Sequence, residues 1–217
     1  MTEKLRIDII SDVVCPWCVV GYQHLMAAIE DLEMQNVVEI EWQPFVLNPD
    51  MPAEGEDLTG HIARKYGSSK AESTQLRERI TQLGSDYGFN FDFYEGMKIF
   101  STRDAHVLLD YARQVGKQTT LKLRFFSAYF TEHKDISDRE VLIQEAGKIG
   151  LTFEQAKNAL SDDETRNRVQ EIQAQWRQAG VTSVPSFVFN RASALTGAQP
   201  KETFKQALRE LRSNQKN

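Results

Sequence analysis

Cys15 and Cys18 are the only cysteines in the 217-residue chain, and they frame the stretch Cys15-Pro16-Trp17-Cys18. An apolar run, Ile7 to Ile10, precedes them; a helical pattern through Val19, Leu25, Ala28, Ile29 and Leu32 follows. The pair therefore falls where a strand hands over to a helix. A helix N-terminus offers unpaired N–H groups and the positive end of the helix dipole. Both stabilise a thiolate, so the first cysteine is expected to be a nucleophile near neutral pH.

Two other uses of the pair are weaker. A structural disulfide across so short a loop removes little entropy from the unfolded chain and so adds little stability. Zinc needs two further ligands, and none of His24, His61, His106 and His133 forms the closely spaced histidine pair of a finger-type site. No metal is expected. A Cys-x-x-Cys pair in a strand–turn–helix unit is a thioredoxin-like redox signature.

Composition allows one large domain, or a small one carrying an insertion: 41% of residues are hydrophobic and 26% charged, as in ordinary globular proteins. A net charge of −5 argues against nucleic acid or an anionic membrane surface as a main partner. The N-terminus, Met1 to Arg6, leads into a short strand without a long apolar leader or small-residue cleavage site. No window reaches the ~18 uninterrupted apolar residues of a membrane span. A cytoplasmic location is expected, where ordinary thiols stay reduced and a catalytic pair is favoured over a bridge.

The elements that must position the dithiol follow from periodicity. Residues 5–10 read as a buried strand, 16–34 as the first helix, with Pro16 at a position where its missing N–H is harmless. Val37 to Leu47 reads as a second strand, broken by Asn48-Pro49-Asp50-Met51-Pro52. From there to about residue 164 the pattern is helical, with no credible strand. Stripes run through Leu58, Ile62 and Tyr66; through Leu76, Ile80, Leu83 and Tyr87; and through Ala105, Leu108, Leu109 and Ala112. Leu121, Phe125, Phe126, Tyr129 and Phe130 cover so wide an arc that their helix should be central to a bundle. Ser137 with Glu140, and Thr152 with Gln155, each fit a capping box, and Gly150 fits a helix C-terminal cap. A helix through Val169, Ile172, Trp176 and Ala179 follows, then Phe187-Val188-Phe189, a short strand near Ala194-Leu195-Thr196, and a last helix opened by Pro200. The order β-α-β, helical block, α-β-β-α is that of an α/β thioredoxin fold carrying a large all-helical insertion. The expected division is 1–47 with 165–217 as the thioredoxin-like domain, and 48–164 as the helical subdomain.

Particular motifs then resemble a known family. Ser11 to Cys18 with Gly21, Trp42-Gln43-Pro44-Phe45, Leu47-Asn48-Pro49-Asp50, Ala128-Tyr129-Phe130, Asp135 to Asp138, Gly180 to Phe187 and Gly197-Ala198-Gln199-Pro200 are similar to the FrnE-like branch of the DsbA family of thioredoxin-fold oxidoreductases. The resemblance covers essentially the whole chain and implies dithiol–disulfide exchange. It implies Cys15 as the exposed nucleophile and Cys18 as the less accessible resolving thiol. It also implies a cis Val184-Pro185 bond opposite the cysteines, with the Val184 backbone free to pair with an extended substrate. An ordinary trans turn proline is the plainer alternative.

The chain departs from DsbA in carrying Trp17 where DsbA has histidine. The Cys15 thiol is therefore expected below the ordinary ~8.5 of a cysteine but short of DsbA's ~3.5. With Pro16, Trp17 borders the expected substrate site, as an aromatic contact or as packing over the helix. Asp12 is near enough to assist proton transfer at Cys18, though capping of a turn or of the helix is the preferred reading. His106 reads as a polar residue of a buried helix rather than a catalyst, and Phe89, Phe91, Phe93 and Tyr94 as core rather than groove.

Two activities remain in view. One is a thiol–disulfide oxidoreductase or isomerase acting on dithiol- or disulfide-containing proteins or small molecules. The other is a glutathione-dependent isomerase or transferase resembling 2-hydroxychromene-2-carboxylate isomerase or kappa-class glutathione transferase. Those relatives generally place a serine where Cys15 stands, so two cysteines favour the first. No cofactor is expected beyond the Cys15–Cys18 pair, with glutathione a candidate co-substrate, held for instance by Asn48 and the Val184-Pro185 backbone.

Overall fold

The computed structural model describes residues 4–214. The chain runs through β1 (Leu5–Ser11), α1 (Pro16–Asp31), β2 (Val38–Pro44) and a two-residue strand β3 (Glu56–Asp57). Next come α2 (Leu58–Tyr66), α3 (Lys70–Ser85), a second two-residue strand β4 (Lys98–Ile99), α4 (Arg103–Gln114), α5 (Gln118–Phe130), α6 (Arg139–Lys148) and α7 (Phe153–Ser161). It closes with α8 (Asp163–Gln178), β5 (Ser186–Phe189), β6 (Ser193–Thr196) and α9 (Lys201–Asn214).

The main sheet has the order β2-β1-β5-β6. β1 and β2 are parallel, from Leu5 opposite Val38 to Ser11 opposite Pro44. A parallel pair needs a crossover, and α1 supplies it. β5 lies antiparallel on the other side of β1, with Ile7 opposite Phe189, and β6 is antiparallel to β5. β1 is buried almost throughout; its apolar residues are interrupted by Arg6 and by Asp8, which is fully buried and paired with Arg6 (2.7 Å). In β5 the alternation separates the two faces. Phe187 meets Phe204 of α9 edge-on, with ring centroids 4.7 Å apart. Val188 joins Ile10 and Phe45 in a smaller cluster bordered by Trp176 of α8.

The helical block is attached to the free edge of β2. Trp42 N–H donates to Gln118 Oε1 (3.0 Å) and Gln118 Nε2 donates to the Trp42 carbonyl (2.9 Å), so a side-chain amide substitutes for a neighbouring strand. α5 is central as its composition requires: Leu121, Phe125, Phe126, Tyr129 and Phe130 are all buried.

Four local expectations need correction. The block does contain strands: β3 and β4 pair antiparallel, Glu56 with Ile99, a long-range contact too short to leave an alternation in sequence. The first helix stops at Asp31, because Glu33 turns into the left-handed region (φ 53°) and Met34 N–H reaches back to the Ile29 carbonyl. Ser137 and Glu140 form no capping box; Asp138 caps α6 through Glu140 N–H (2.8 Å), while Ser137 Oγ donates to Asp135 (2.6 Å). The Thr152–Gln155 box is present in both directions, and Gly150 has the positive φ (79°) of a helix-terminating residue. Pro200 stands just before α9 rather than inside its first turn.

Gly21 fixes how closely α1 approaches the sheet. A Cβ there would lie 2.9 Å from Phe187 Cζ and 3.3 Å from the Ala198 Cα. Phe187 is fully buried and has nowhere to retreat. Gly21→Ala is expected to destabilise the fold by about 1–3 kcal/mol through overpacking, read as a lower urea midpoint at unchanged slope. An unchanged midpoint would mean that α1 shifts freely.

Candidate active site

Cys15 occupies the N-cap position of α1 in an extended conformation (φ −95°, ψ 109°), and Pro16 opens the helix. The Cys15 thiol therefore sits at the end of α1 where backbone N–H groups lack intrahelical partners. Cys18 lies one turn in, its N–H bonded to the Cys15 carbonyl (3.0 Å). Both are free thiols in this structure.

Their surroundings differ. Cys18 is fully sealed, while Cys15 is 5% exposed. The expectation of an openly exposed Cys15 is thus corrected. Access to it runs through a cavity of about 1010 Å³ that it lines together with Pro16, Trp17 and Val184. Burial, and then the hydrogen bond and charge of Cys15, push the Cys18 thiol well above its ordinary value, with Lys122 opposing.

The Val184–Pro185 bond is cis. The Val184 carbonyl lies 3.8 Å from Cys15 Sγ, within sulfur hydrogen-bond reach. Strand pairing begins only at Ser186, so Val184 stands outside the ladder of the sheet. Trp17 is half-buried, packed on the core on one side and lining the cavity on the other.

Below the dithiol lies a buried polar cluster. Asp12, 0% exposed, accepts from Val13 N–H (2.7 Å) and from Leu47 N–H (2.7 Å). His106 Nε2 approaches it at 3.3 Å. An ionised carboxylate only accepts, so Nε2 carries the proton. Burial pushes Asp12 up, but the His106 contact, the Leu47 N–H and the charge of Lys122 outweigh it and hold the carboxyl below its usual range. Burial likewise holds the His106 imidazole below its ordinary value against the pull of Asp12. The preferred capping role of Asp12 fails for the helix, since α1 has no side-chain cap; its bonds tie the turn after β1 to the loop after β2. His106, read as a polar residue of a buried helix, is that and also the partner of Asp12.

Sequence reasoning passed over Lys122. This α5 residue is 1% exposed, and its Nζ stands over the rings of Phe126 (5.0 Å to the centroid) and Trp42 (5.4 Å). Among the described residues it has no hydrogen-bond or ion-pair partner. Burial brings it from the ordinary 10.5 down to about 8, against the opposing pull of Cys18, Asp12 and Cys15. The signal was present in the sequence: an apolar arc wide enough to include Leu121, Phe125 and Phe126 leaves Lys122 no face toward solvent. The aromatic run divides, Phe91 buried and Phe93 stacked on it (5.6 Å) while also lining the cavity. Among the described residues no group of three or more His, Cys, Asp and Glu side chains is placed to hold a metal ion. No described helix is long and apolar enough to cross a membrane.

A mixed sheet of this order, a helix-terminal dithiol and an apposed cis-proline turn together define a thioredoxin-fold protein with a helical insertion. More particularly, the chain belongs to the DSBA-like thioredoxin domain family, matched over residues 6–209. It is 29% identical over 209 residues to the uncharacterized protein YwbO of Bacillus subtilis (strain 168), covering 94% of this chain and 96% of that one. The crystal structure of a probable DsbA oxidoreductase from Streptomyces coelicolor superposes with a TM-score of 0.89 at 29% identity, over 95% of this chain and 89% of that one. The cytosolic disulfide reductase DsbM of Pseudomonas aeruginosa, solved with GSH, shares the fold at a TM-score of 0.67 and 18% identity, over 95% and 99% of the two chains.

The buried ammonium has a measurable consequence. Its folded pKa lies below the unfolded one, so between about 8 and 10.5 the unfolded chain holds a proton that the folded chain lacks. The destabilisation is therefore complete below about 8 and fades as pH rises to 10.5. Lys122→Met is expected to be the more stable protein at pH 7, by on the order of 2–3 kcal/mol. The difference in urea unfolding free energy should close as pH is raised past 10. A difference independent of pH would show that the ammonium is fully compensated.

Proposed function

We propose that the protein is a thiol–disulfide oxidoreductase of the FrnE-like branch, with Cys15 as nucleophile and Cys18 as resolving thiol. The observation that carries this reading is the unequal setting of two free thiols at one helix terminus. One opens on a large cavity beside Val184 and Pro185; the other is sealed above Asp12 and Lys122. In this scheme the Cys15 thiolate attacks a substrate disulfide, forms a mixed disulfide and expels one substrate thiolate. Cys18 then loses its proton and attacks Cys15 Sγ, releasing the second substrate thiol and leaving a Cys15–Cys18 disulfide. Two electrons pass from the dithiol to the substrate, and a thiol reductant returns them; glutathione is the co-substrate proposed for that step. Reversed, the same steps oxidise a substrate dithiol or isomerise a disulfide, the direction being set by the potentials of the pair and its partner.

Asp12 is proposed to assist the transfer of the proton from Cys18, and the Lys122 ammonium to favour the thiolate left behind, an assignment supported by the burial of both groups and by the pull of the Lys122 charge on Cys18. Pro16, Trp17, Val184 and Pro185 are proposed to contact the substrate. Residues 1–47 with 165–217 form the thioredoxin-like part in this reading, and 48–164 the helical subdomain. The acidic composition and the dithiol chemistry support action in the cytoplasm on thiol or disulfide compounds rather than on nucleic acid or membranes.

Thiol trapping during turnover tests the assignment. Cys15→Ser is expected to abolish exchange, with a loss of at least about a thousandfold. Cys18→Ser should accumulate a mixed disulfide through Cys15. Turnover of a glutathione-dependent isomerase substrate that survives Cys18→Ser would instead favour the isomerase or transferase alternative, and full exchange activity in both variants would refute the dithiol mechanism.

A further inference from the structure

The cavity beside Cys15 has walls that the exchange chemistry alone does not require. Tyr66 and Leu76, expected to pack as parts of helical stripes, are 62% and 39% exposed, and both line the cavity. Ile62, Ile80, Phe93 and Phe130 extend this apolar lining. Large side chains left uncovered along the wall of an open cavity are surface that a ligand with an apolar body would bury.

Its charge is one-sided. Among the described residues no Asp or Glu lines the cavity, although the chain holds 31 acidic residues against 26 Lys and Arg. Three cations, Lys65, Arg77 and Arg177, do line it, and among the described residues none has a carboxylate within ion-pair distance. Lys65 Nζ donates to the Leu47 carbonyl (3.0 Å) and Asn48 Oδ1 (2.6 Å). Arg177 donates to the Val46 carbonyl (3.1 Å) and stands over the Phe45 ring. Arg77, on α3, is half-buried; its Nη2 donates to Thr59 Oγ1 (2.7 Å) and Ser73 Oγ (3.2 Å), while its Nε is buried without a partner. A guanidinium partly withdrawn from water and held only by hydroxyls is an incomplete ion pair. Its planar fork fits a carboxylate.

We infer that the cavity takes a low-molecular-weight disulfide bearing an apolar arm and a carboxylate, with the arm along α2 and α3 and the carboxylate on Arg77. This inference rests on the exchange reading above and narrows its substrate class from proteins and small molecules to the latter. The near-complete burial of Cys15 agrees with it, since the reacting sulfur must travel into the cavity. One sulfur of the compound bonds to Cys15 and the other leaves as a thiolate that takes up a proton. Cys18, losing its proton, then displaces the first sulfur, so the dithiol is oxidised by two electrons and the compound is reduced to two thiols.

The test is a single turnover of pre-reduced full-length protein with three pyridyl disulfides: a long-chain alkanoic acid, its methyl ester and a short-chain acid. Release of pyridine thione is followed by absorbance, and each rate is divided by that compound's rate with free glutathione. The long-chain acid is expected to react about tenfold faster than either of the others. Arg77→Met should bring it down to the rate of the ester, and Arg77→Lys should restore part of the preference. Equal corrected rates in the wild type overturn the inference without any variant. So does an acid preference that persists in Arg77→Met, or a disulfide-bonded peptide that outpaces all three compounds. Thione release no faster than that of Cys15→Ser with every compound would overturn the exchange reading itself.

Discussion

The buried carboxylate of Asp12 is the constraint on which the site depends. It closes the turn that leaves β1, receives the Leu47 N–H from the loop beyond β2 and meets His106 from α4. A charge with no access to water survives in a fold only when its lone pairs are matched. Three separate segments are therefore required to arrive at one point. Cys15 follows that point by three residues, so the dithiol is delivered to the junction of sheet and helical block.

That junction creates the asymmetry of the two sulfurs. The helical block, fastened to the edge of β2 through Gln118, contributes Lys122 beneath Cys18 and the far wall of the cavity in front of Cys15. One thiol is thus raised well above its ordinary value by burial while its neighbour opens on a route to solvent. Lys122 acts in the other direction, its charge favouring a thiolate at Cys18 and being itself weakened by burial. Without the block, the same four residues at the same helix terminus would have neither the ammonium nor the cavity.

Much of this was legible in the sequence, and the legible parts share a property. The Cys15–Cys18 spacing, the Pro16 helix start, the isoleucines of β1 and the wide arc of α5 all depend on residues within a turn or two of one another. Asp12 illustrates the limit. Its proximity to Cys15 and its bond to the turn were legible, but its partners Leu47 and His106, remote in sequence, were not, and of the turn and helix caps considered for it only the helix cap fails. Tyr66 and Leu76 fell into helical stripes like any core residue; that they face a cavity depends on where α2 and α3 stand relative to α1.

The sequence by itself therefore determined the dithiol and the architecture: a Cys-x-x-Cys pair at a helix N-terminus, in a thioredoxin fold interrupted by helices. Spacing and periodicity encode these directly, since a helix terminus and an apolar stripe are local objects. Only the tertiary structure decided that Cys15 lines a cavity, that Lys122 is sealed near Cys18, and that three cations line the cavity with no carboxylate among its described residues. Desolvation and uncompensated charge are properties of an enclosure, and an enclosure exists only once segments far apart in the chain have closed it.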